Sequence, residues 1–264
     1  MRALLAGKNA EKIRHLAEET GFHIVQSAEA DLCICYGGDG TLLGAEREFP
    51  GLPKLPIRKR REMAGQELEA YYLRILDRVK SGQAVPTHLP KLEAVHNGER
   101  LLAVNDIILH NARVTSAVRY NVAIDGVEHF GEIVGDGLVV ATPFGSSAYY
   151  RSITNSVIHV GMGLAFNNST EPVNHLVLHE DSSITTTISR GPGLLAADNN
   201  PRELPLAEGD EVIIRMAEET ATILEIDNLL AMDRNSTYCG RRLRWIKPLT
   251  QKLRRENGNG NRNA

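Results

Sequence analysis

The stretch CICYGGDGTLL, residues 33–43, joins an apolar run to three glycines and one aspartate. The apolar run predicts a buried strand, and the residues after the glycines predict the start of a helix. Glycines let the backbone reach positive φ and approach a ligand closely, and the amides at a helix start attract anions. A strand, a glycine turn and a helix in this order therefore predict a phosphate-binding loop in an α/β domain.

The aspartate in this loop, Asp39, distinguishes it from two common phosphate-binding loops. Neither the Gly-Lys-Ser/Thr sequence of a Walker A loop nor the GxGxxG dinucleotide pattern is present. Bound phosphates repel a carboxylate, unless it binds Mg²⁺ or takes a proton from a hydroxyl group. Two interpretations follow from the residues alone: Asp39 acts in catalysis, or its side chain makes a local hydrogen bond in the turn.

The flanking sequence predicts two domains of different class. Helical and strand-like patterns alternate up to residue 90, whereas strand-like runs predominate afterwards. The dipeptides Asn97-Gly98 and Asp125-Gly126 are typical of β-hairpin turns. We expect a Rossmann-like α/β domain at 1–90, an all-β, sandwich-like domain at 91–240, a segment at 241–254 that packs back on the first domain and a disordered tail at 255–264.

Composition and charge exclude several classes of protein. The net charge of the 264 residues is −3, which argues against a nucleic-acid-binding protein. No apolar stretch approaches the roughly 20 residues of a membrane helix, and the N-terminus lacks the pattern of a signal peptide. Three cysteines without a CxxC pair predict neither a disulfide framework nor a metal site. We therefore expect a cytoplasmic protein that binds neither nucleic acid nor membranes.

Three motifs together resemble those of the NAD kinase family. GGDGTLL, followed by Ala45 and Arg47, resembles the family's first motif, which is partly shared with diacylglycerol and sphingosine kinases. AVNDIILH at 103–110 resembles its Asn-Glu/Asp motif, and DGLVVATPFGSSAYYRSI at 136–153 resembles its glycine-rich motif. The resemblance implies transfer of the γ-phosphate of ATP, or of another phosphate donor, to the 2′-hydroxyl of the NAD adenosine ribose. A lipid kinase and a catalytically impaired nucleotide-binding regulator are the alternatives.

The resemblance also implies roles for individual residues. Asp39 matches the catalytic aspartate, and the amides of the loop would face phosphate oxygens, namely those of Gly37, Gly38, Gly40 and Thr41. The positions that match NAD-binding residues are Asn105, Asp106, Asp136, Thr142, Ser146, Ser147, Ala148 and Tyr149. Mg²⁺ would arrive with the nucleotide, and the protein would be a homodimer or homotetramer. Without the resemblance, Asn105-Asp106 is typical of a turn, and Tyr149 and Tyr150 are typical of core packing.

Two stretches depart from the family pattern. PGLPKLPIRKRREM, residues 50–63, replaces a glycine-rich loop of the form GINxGxLGFL, and AADNN, residues 196–200, replaces SDGQ. Phe144 replaces a small polar residue. The first stretch carries a run of cations that either contacts the phosphate donor or is a solvated surface. Its members are Lys54, Arg58, Lys59, Arg60 and Arg61.

Overall fold

The computed structural model describes residues 1–26, 29–60, 63–172 and 174–227, which form two compact units. The first unit consists of Met1–Leu89 and the described residues from Ala221 onward, and the second of Pro90–Thr220. The second unit thus ends earlier than the predicted domain 91–240, because the chain returns to the first unit at Ala221. The predicted segments 241–254 and 255–264 lie outside the described residues. None of the described helices is long and apolar enough to span a membrane.

A parallel sheet forms the centre of the first unit. Its strands are β1 (Arg2–Ala6), β2 (His23–Ile24), β3 (Leu32–Tyr36) and β4 (Lys54–Ile57), and its α-helices are α1 (Arg14–Glu19), α2 (Asp39–Glu48) and α3 (Gly65–Lys80). The strand order is β4-β3-β1-β2, with all neighbours parallel. Beyond β4, the returning chain adds a parallel pair between Ile223 and Lys54. This architecture confirms the predicted Rossmann-like α/β class.

Apolar side chains at helical spacing attach α3 to this sheet. Tyr72, Ile75, Leu76 and Val79 are buried on one face of α3. They share a core with apolar residues of β1, β3 and β4, including the fully buried Ile34. The burial of this stripe against the sheet is the main stabilising contribution to α3, since isolated helices of this length are marginal in water.

The second unit consists of β-strands and one short helix, α4 (Tyr149–Thr154). The strands that lie wholly or mainly in it are β5 (Pro86–His96), β6 (Glu99–Ala103), β7 (Asp106–Asn111), β8 (Val118–Ile124), β9 (Val127–Glu128), β10 (Ile133–Gly135), β11 (Gly137–Ala141), β12 (Met162–Asn167), β13 (His175–Leu178), β14 (Ile184–Arg190), β15 (Gly193–Ala197), β16 (Leu204–Leu206) and β17 (Glu211–Leu224). One antiparallel sheet has the order β13-β12-β11-β7-β15-β16, and the other contains β10-β8-β14-β17, with β9 beside β8 and β5 joining β17 to β6.

The two sheets of the second unit pack face to face as a sandwich, as predicted, and the alternating burial along their strands shows which side of each strand faces the core. On β8, Val118, Tyr120, Val122 and Ile124 are buried and alternate with less buried residues. They form one apolar cluster with residues of the other sheet, among them Leu138 of β11. Period-two burial of this kind is expected of a strand with one face on a core.

Both predicted hairpin turns are present. Asn97 and Asp125 have φ values of 48° and 52°, and the glycine that follows each has a φ of 79°. Two successive residues with positive φ define the tight turn that suits the right-handed twist of paired strands. The turns connect β5 to β6 and β8 to β9.

Candidate functional site

The glycine loop lies between β3 and α2, and its glycines do not act as expected. Gly38 has a φ of −94°, and Gly37 and Gly40 have no positive φ either. Gly37 is required for a different reason, because a Cβ atom there would lie 2.2 Å from Thr41 Oγ1. The Gly37 amide donates to Ile57 O and the Thr41 amide to Gly38 O, each at 3.0 Å. These two amides therefore stabilise the loop itself. The resemblance implies that they face phosphate oxygens, whereas in this structure they donate to carbonyl oxygens of the protein.

Asp39 is the first residue of α2, and it forms an ion pair with Arg58. The guanidinium Nη2 of Arg58 donates to Asp39 Oδ1. The side chains of Asp39 and Arg58 are 26% and 20% exposed, so the pair is partly shielded from water. Asp39 therefore does more than make a local turn hydrogen bond: its carboxylate contacts a residue that directly follows β4.

A cleft of about 690 Å³ opens beside this ion pair within the first unit. Cationic and aromatic side chains line it together with the first two glycines of the loop, and a wall of apolar residues completes it. The lining includes Lys12, Arg58, Lys59, Glu69, Tyr36 and Tyr72. The two tyrosine rings meet edge to face, with centroids 5.8 Å apart. The volume of the cleft is in the usual range for a small-molecule site.

The cations of residues 54–61 do not form one solvated run. Lys54 is fully buried, pairs with Glu46 and donates to Phe49 O at 2.5 Å. Arg60 is buried as well, donates to the Tyr71 hydroxyl at 2.6 Å and stacks over that ring. Neither side chain is available to a ligand, so Arg58 and Lys59 are the described cations of residues 54–61 that line the cleft. Arg61 lies outside the described residues.

In the second unit, one carboxylate holds the loop that carries Asn105 and Asp106. Asp198 Oδ1 accepts the amides of Asn105 and Asp106 at 2.7 and 3.1 Å, and its Oδ2 accepts that of Val104 at 2.8 Å. The Asp198 amide donates in return to Asp106 O at 2.9 Å. Sequence reasoning missed this role, although AADNN was recognised as a departure. No local pattern connects residues that are 94 positions apart.

Thr142 and Gly145 support the same loop from its other side. The Thr142 hydroxyl donates to Val104 O at 2.7 Å and accepts the Gly145 amide at 2.9 Å. The Thr142 amide donates to Asn105 O at 2.9 Å. A Cβ atom on Gly145 would lie 2.0 Å from Asn105 O, so only glycine allows this contact. The hydroxyl of Thr142 is fully buried and used internally, and its structural role is to position Asn105.

The serines of TPFGSSAYY are buried, whereas the two residues that follow them are partly exposed. The Ser146 hydroxyl donates to Pro143 O at 2.8 Å, and the Ser147 hydroxyl donates to Phe144 O at 3.4 Å. Ala148 and Tyr149 remain accessible at the start of α4. Their predicted contact with a dinucleotide stays a prediction, as does that of the serines.

The two tyrosines of this motif differ in their surroundings. Tyr150 is fully buried in a small core with Val139 and Ile158, which is the packing role expected for it from the residues alone. A Cβ atom on Gly163 would lie 2.5 Å from its ring. Tyr149 instead keeps part of its ring accessible and directs its hydroxyl to a polar group, since Asn167 Nδ2 donates to it at 2.9 Å.

Polar groups gather around Tyr149. Burial raises the pKa of its hydroxyl, and the negative charges of Asp136 and Asp106 raise that pKa further. Asp136 is held in place by amides, since it accepts from Asn111 Nδ2 at 3.3 Å and from Asn168 Nδ2 at 3.2 Å. The charges of two predicted residues, Asp136 and Asp106, therefore act on the hydroxyl of a third, Tyr149.

Among the predicted NAD-binding residues, Asn105 is the one with a buried side-chain polar atom that lacks a hydrogen-bond partner in the described part of the chain. The residue is 6% exposed, and among the described residues no hydrogen-bond partner lies within reach of its Oδ1 atom. An unsatisfied buried acceptor costs about 1–3 kcal/mol. A ligand that donates a hydrogen bond to this oxygen would remove that cost.

No group of three or more histidine, cysteine, aspartate and glutamate side chains that could hold a metal ion occurs among residues 1–26, 29–60, 63–172 and 174–227. Mg²⁺ usually keeps several waters and binds through one or two carboxylates plus substrate phosphates. Asp39 offers one such carboxylate at the glycine loop. A carboxylate at this place is the kind of ligand that a magnesium ion carried by a nucleotide would use.

Comparison with known proteins adds a consistent set of similarities. The family profile described as the ATP-NAD kinase C-terminal domain matches residues 104–226. The chain is 30% identical over 219 residues to the NAD kinase of Aeromonas salmonicida, covering 76% of this chain and 73% of that protein.

Two solved structures share the fold. Yeast NADH kinase complexed with NADH has a TM-score of 0.72 at 20% identity, over 89% of both chains. The NAD kinase from Archaeoglobus fulgidus in complex with ATP has a TM-score of 0.72 at 18% identity, over 93% of this chain and all of the other. The fold of this chain, an α/β unit and a β-sandwich unit, is therefore similar to the fold of these two proteins.

Proposed function

This chain belongs to the NAD kinase family, and we propose on that premise that it transfers the γ-phosphate of ATP to the 2′-hydroxyl of the NAD adenosine ribose. The observation that carries the proposal is Asp39 at the start of α2, beside a cationic cleft and within the GGDGT loop. The relatives are NAD kinases, so the lipid kinase and the impaired regulator are not favoured.

The proposed reaction needs one proton acceptor and a set of positive charges. The 2′-oxygen forms a bond to the γ-phosphorus, the bond from that phosphorus to the bridging oxygen breaks, and ADP leaves. Asp39 takes the proton of the 2′-hydroxyl as the new bond forms. Phosphoryl transfer otherwise depends mainly on positioning and charge neutralisation. A magnesium ion on the nucleotide would neutralise charge on the β- and γ-phosphates.

The second unit offers groups suited to NAD. The Asn105 amide can both donate and accept, which suits the edge of an adenine base, and its Oδ1 atom lacks a protein partner among the described residues. The carboxylates of Asp106 and Asp136 suit ribose hydroxyls. Tyr149 presents a partly exposed ring beside them. This candidate NAD-binding surface is completed or supported by Ala148, Ser146, Ser147 and Thr142.

Three further features belong to the proposal. Homodimers or homotetramers are expected from the resemblance, and light scattering of the purified protein measures them. A cytoplasmic location agrees with two free, buried thiols at Cys33 and Cys35, and cell fractionation tests it. The dependence on Mg²⁺ is tested by adding a chelator to the assay.

The experiment that tests the function measures NADP. Purified protein is incubated with ATP, Mg²⁺ and NAD, and NADP is quantified with an NADP-specific dehydrogenase. The proposal expects NADP to form in proportion to time and protein, with ADP in equal amount. ATP consumption without NADP, or no reaction with a well-folded protein, would refute it.

A further inference from the structure

We propose that Arg58 exchanges partners when the nucleoside triphosphate donor binds in the cleft of the first unit: it releases the Asp39 carboxylate and binds a phosphate of the donor. The inference rests on the proposed function, because the ligand is the phosphate donor. Arg58 would then have two partners in turn: Asp39 before the donor binds, and the donor afterwards.

The lining of the cleft fits the two parts of such a ligand. Lys12, Arg58 and Lys59 supply positive charge, and Glu69 is the acidic residue of the lining. Polyphosphates are bound by charge-assisted hydrogen bonds from such cations. Tyr36 and Leu68, which are partly exposed, supply an aromatic and apolar surface. Such a surface suits a flat heterocycle, so the lining favours a nucleotide over an inorganic polyphosphate.

The position of Arg58 explains how one side chain can serve both partners. It directly follows β4, and the glycine loop directly follows the neighbouring strand β3. In parallel sheets, ligands bind at this carboxyl edge of the strands. A guanidinium binds carboxylates and phosphates with the same planar geometry. The Asp39 carboxylate and a donor phosphate therefore compete for Arg58.

The competition has a consequence for catalysis. Without a donor, Asp39 Oδ1 accepts from Arg58. When a phosphate takes Arg58, the Arg58 guanidinium no longer occupies that oxygen, which favours its acceptance of the proton of the attacking hydroxyl. Binding of the donor thereby removes Arg58 from the Asp39 carboxylate, which is the proposed general base. Arg58 lies in the stretch where the family pattern has a glycine-rich loop. The exchange of Arg58 between Asp39 and the donor is therefore a feature of this chain.

The ion pair also lowers donor affinity, because binding must break it. This yields an unusual expectation: Asp39→Asn, which abolishes the base, should bind the donor more tightly than the wild type. Arg58→Gln should bind it about 10- to 100-fold more weakly, the usual worth of a charge-assisted contact. In the double variant, Asp39→Asn should give no further gain, because no Arg58 is left to release.

The test is a double-mutant cycle on binding alone. Calorimetric titration with the non-transferable analogue adenosine 5′-(β,γ-imido)triphosphate and Mg²⁺, without NAD, gives four dissociation constants. Arg74→Gln is the matched control, since it removes an exposed arginine of α3 in the same unit and should leave the constant unchanged. If Arg58→Gln fails to fold, Arg58→Lys is used, which keeps the charge and loses the planar fork.

The outcomes separate the possible causes. If Asp39→Asn acts only by relieving charge repulsion with phosphate, it would strengthen binding equally in the wild type and in Arg58→Gln. Such additivity would overturn the proposal that Arg58 exchanges partners. Unchanged binding by Arg58→Gln would overturn the assignment of the cleft. Inorganic tripolyphosphate binding as tightly as the nucleotide analogue would overturn the role of the apolar surface.

Failure of this inference is distinct from failure of the proposed function. NADP formation with an additive cycle would leave the kinase function intact and remove the exchange. A non-additive cycle in a protein that makes no NADP would keep the nucleotide site and remove the function.

Discussion

Asp198→Asn tests how the second unit builds its candidate NAD site. The carboxylate binds three amides, those of Val104, Asn105 and Asp106, through both of its oxygens. An asparagine keeps one acceptor oxygen and turns an NH₂ group toward the remaining amide. Asp198 has a φ of 51°, a conformation that asparagine also tolerates, so the backbone is not strained by the change.

The expected effect follows from these bonds. Loss of one charge-assisted hydrogen bond costs about 1.5–3 kcal/mol, and the other two become neutral and weaker. Because the three bonds share one carboxylate, they are not additive, and we expect a total loss of about 2–4 kcal/mol in the local opening free energy. NAD affinity should fall too, since Asn105 and Asp106 lose their fixed position.

Residue-resolved hydrogen exchange measures this directly at the amides of 104–106. Asp125→Asn is the control, because Asp125 has a φ of 52° and accepts one amide, from Ser183 at 2.8 Å, but is exposed. That variant should change stability by less than about 0.5 kcal/mol. Wild-type protection of the three amides in Asp198→Asn, together with unchanged NAD affinity, would refute the reasoning.

Three other changes have distinct expected outcomes. Asn105→Ala and Tyr149→Ala should each weaken NAD binding by about 1–3 kcal/mol and alter ATP binding less, as measured by calorimetry; unchanged NAD affinity in both would exclude them from the site. Lys54→Met should lower the free energy of unfolding in urea by about 3–5 kcal/mol, because it removes one partner of a buried ion pair with Glu46; a smaller loss than in the control Arg74→Gln would contradict this. Burial raises the pKa of Tyr120, so stability should fall as pH rises above about 10, where the unfolded tyrosine ionises first, and Tyr120→Phe should reduce that slope in urea titrations at high pH.

Local signals in the sequence predicted the features that depend on neighbouring residues. Asn97-Gly98 and Asp125-Gly126 specify their turns through the φ values that these residues tolerate, and both hairpins formed. The strand, glycine turn and helix around Asp39 were also predicted from neighbouring residues, although the glycines of the turn have no positive φ and the helix begins at Asp39 itself.

Features that depend on distant partners were not predictable. Asp198 reaches a loop almost a hundred positions earlier, and Lys54 is buried because Glu46 of α2 neutralises it. A run of cations such as 58–61 gives no indication of which side chain faces a cleft. Arg58 and Arg60 are two positions apart, yet one pairs with Asp39 and the other with Tyr71.

The central claim is that Asp39 of the glycine loop serves a phosphoryl transfer to the NAD ribose. The most direct measurement is ³¹P NMR of the product formed by the wild type and by Asp39→Asn under saturating ATP, Mg²⁺ and NAD. We expect the wild type to give a new phosphomonoester at the 2′-position, and the variant, equally well folded, to form it about 10²–10⁴-fold more slowly. A phosphate at another position, or a wild-type rate in Asp39→Asn, would contradict the account.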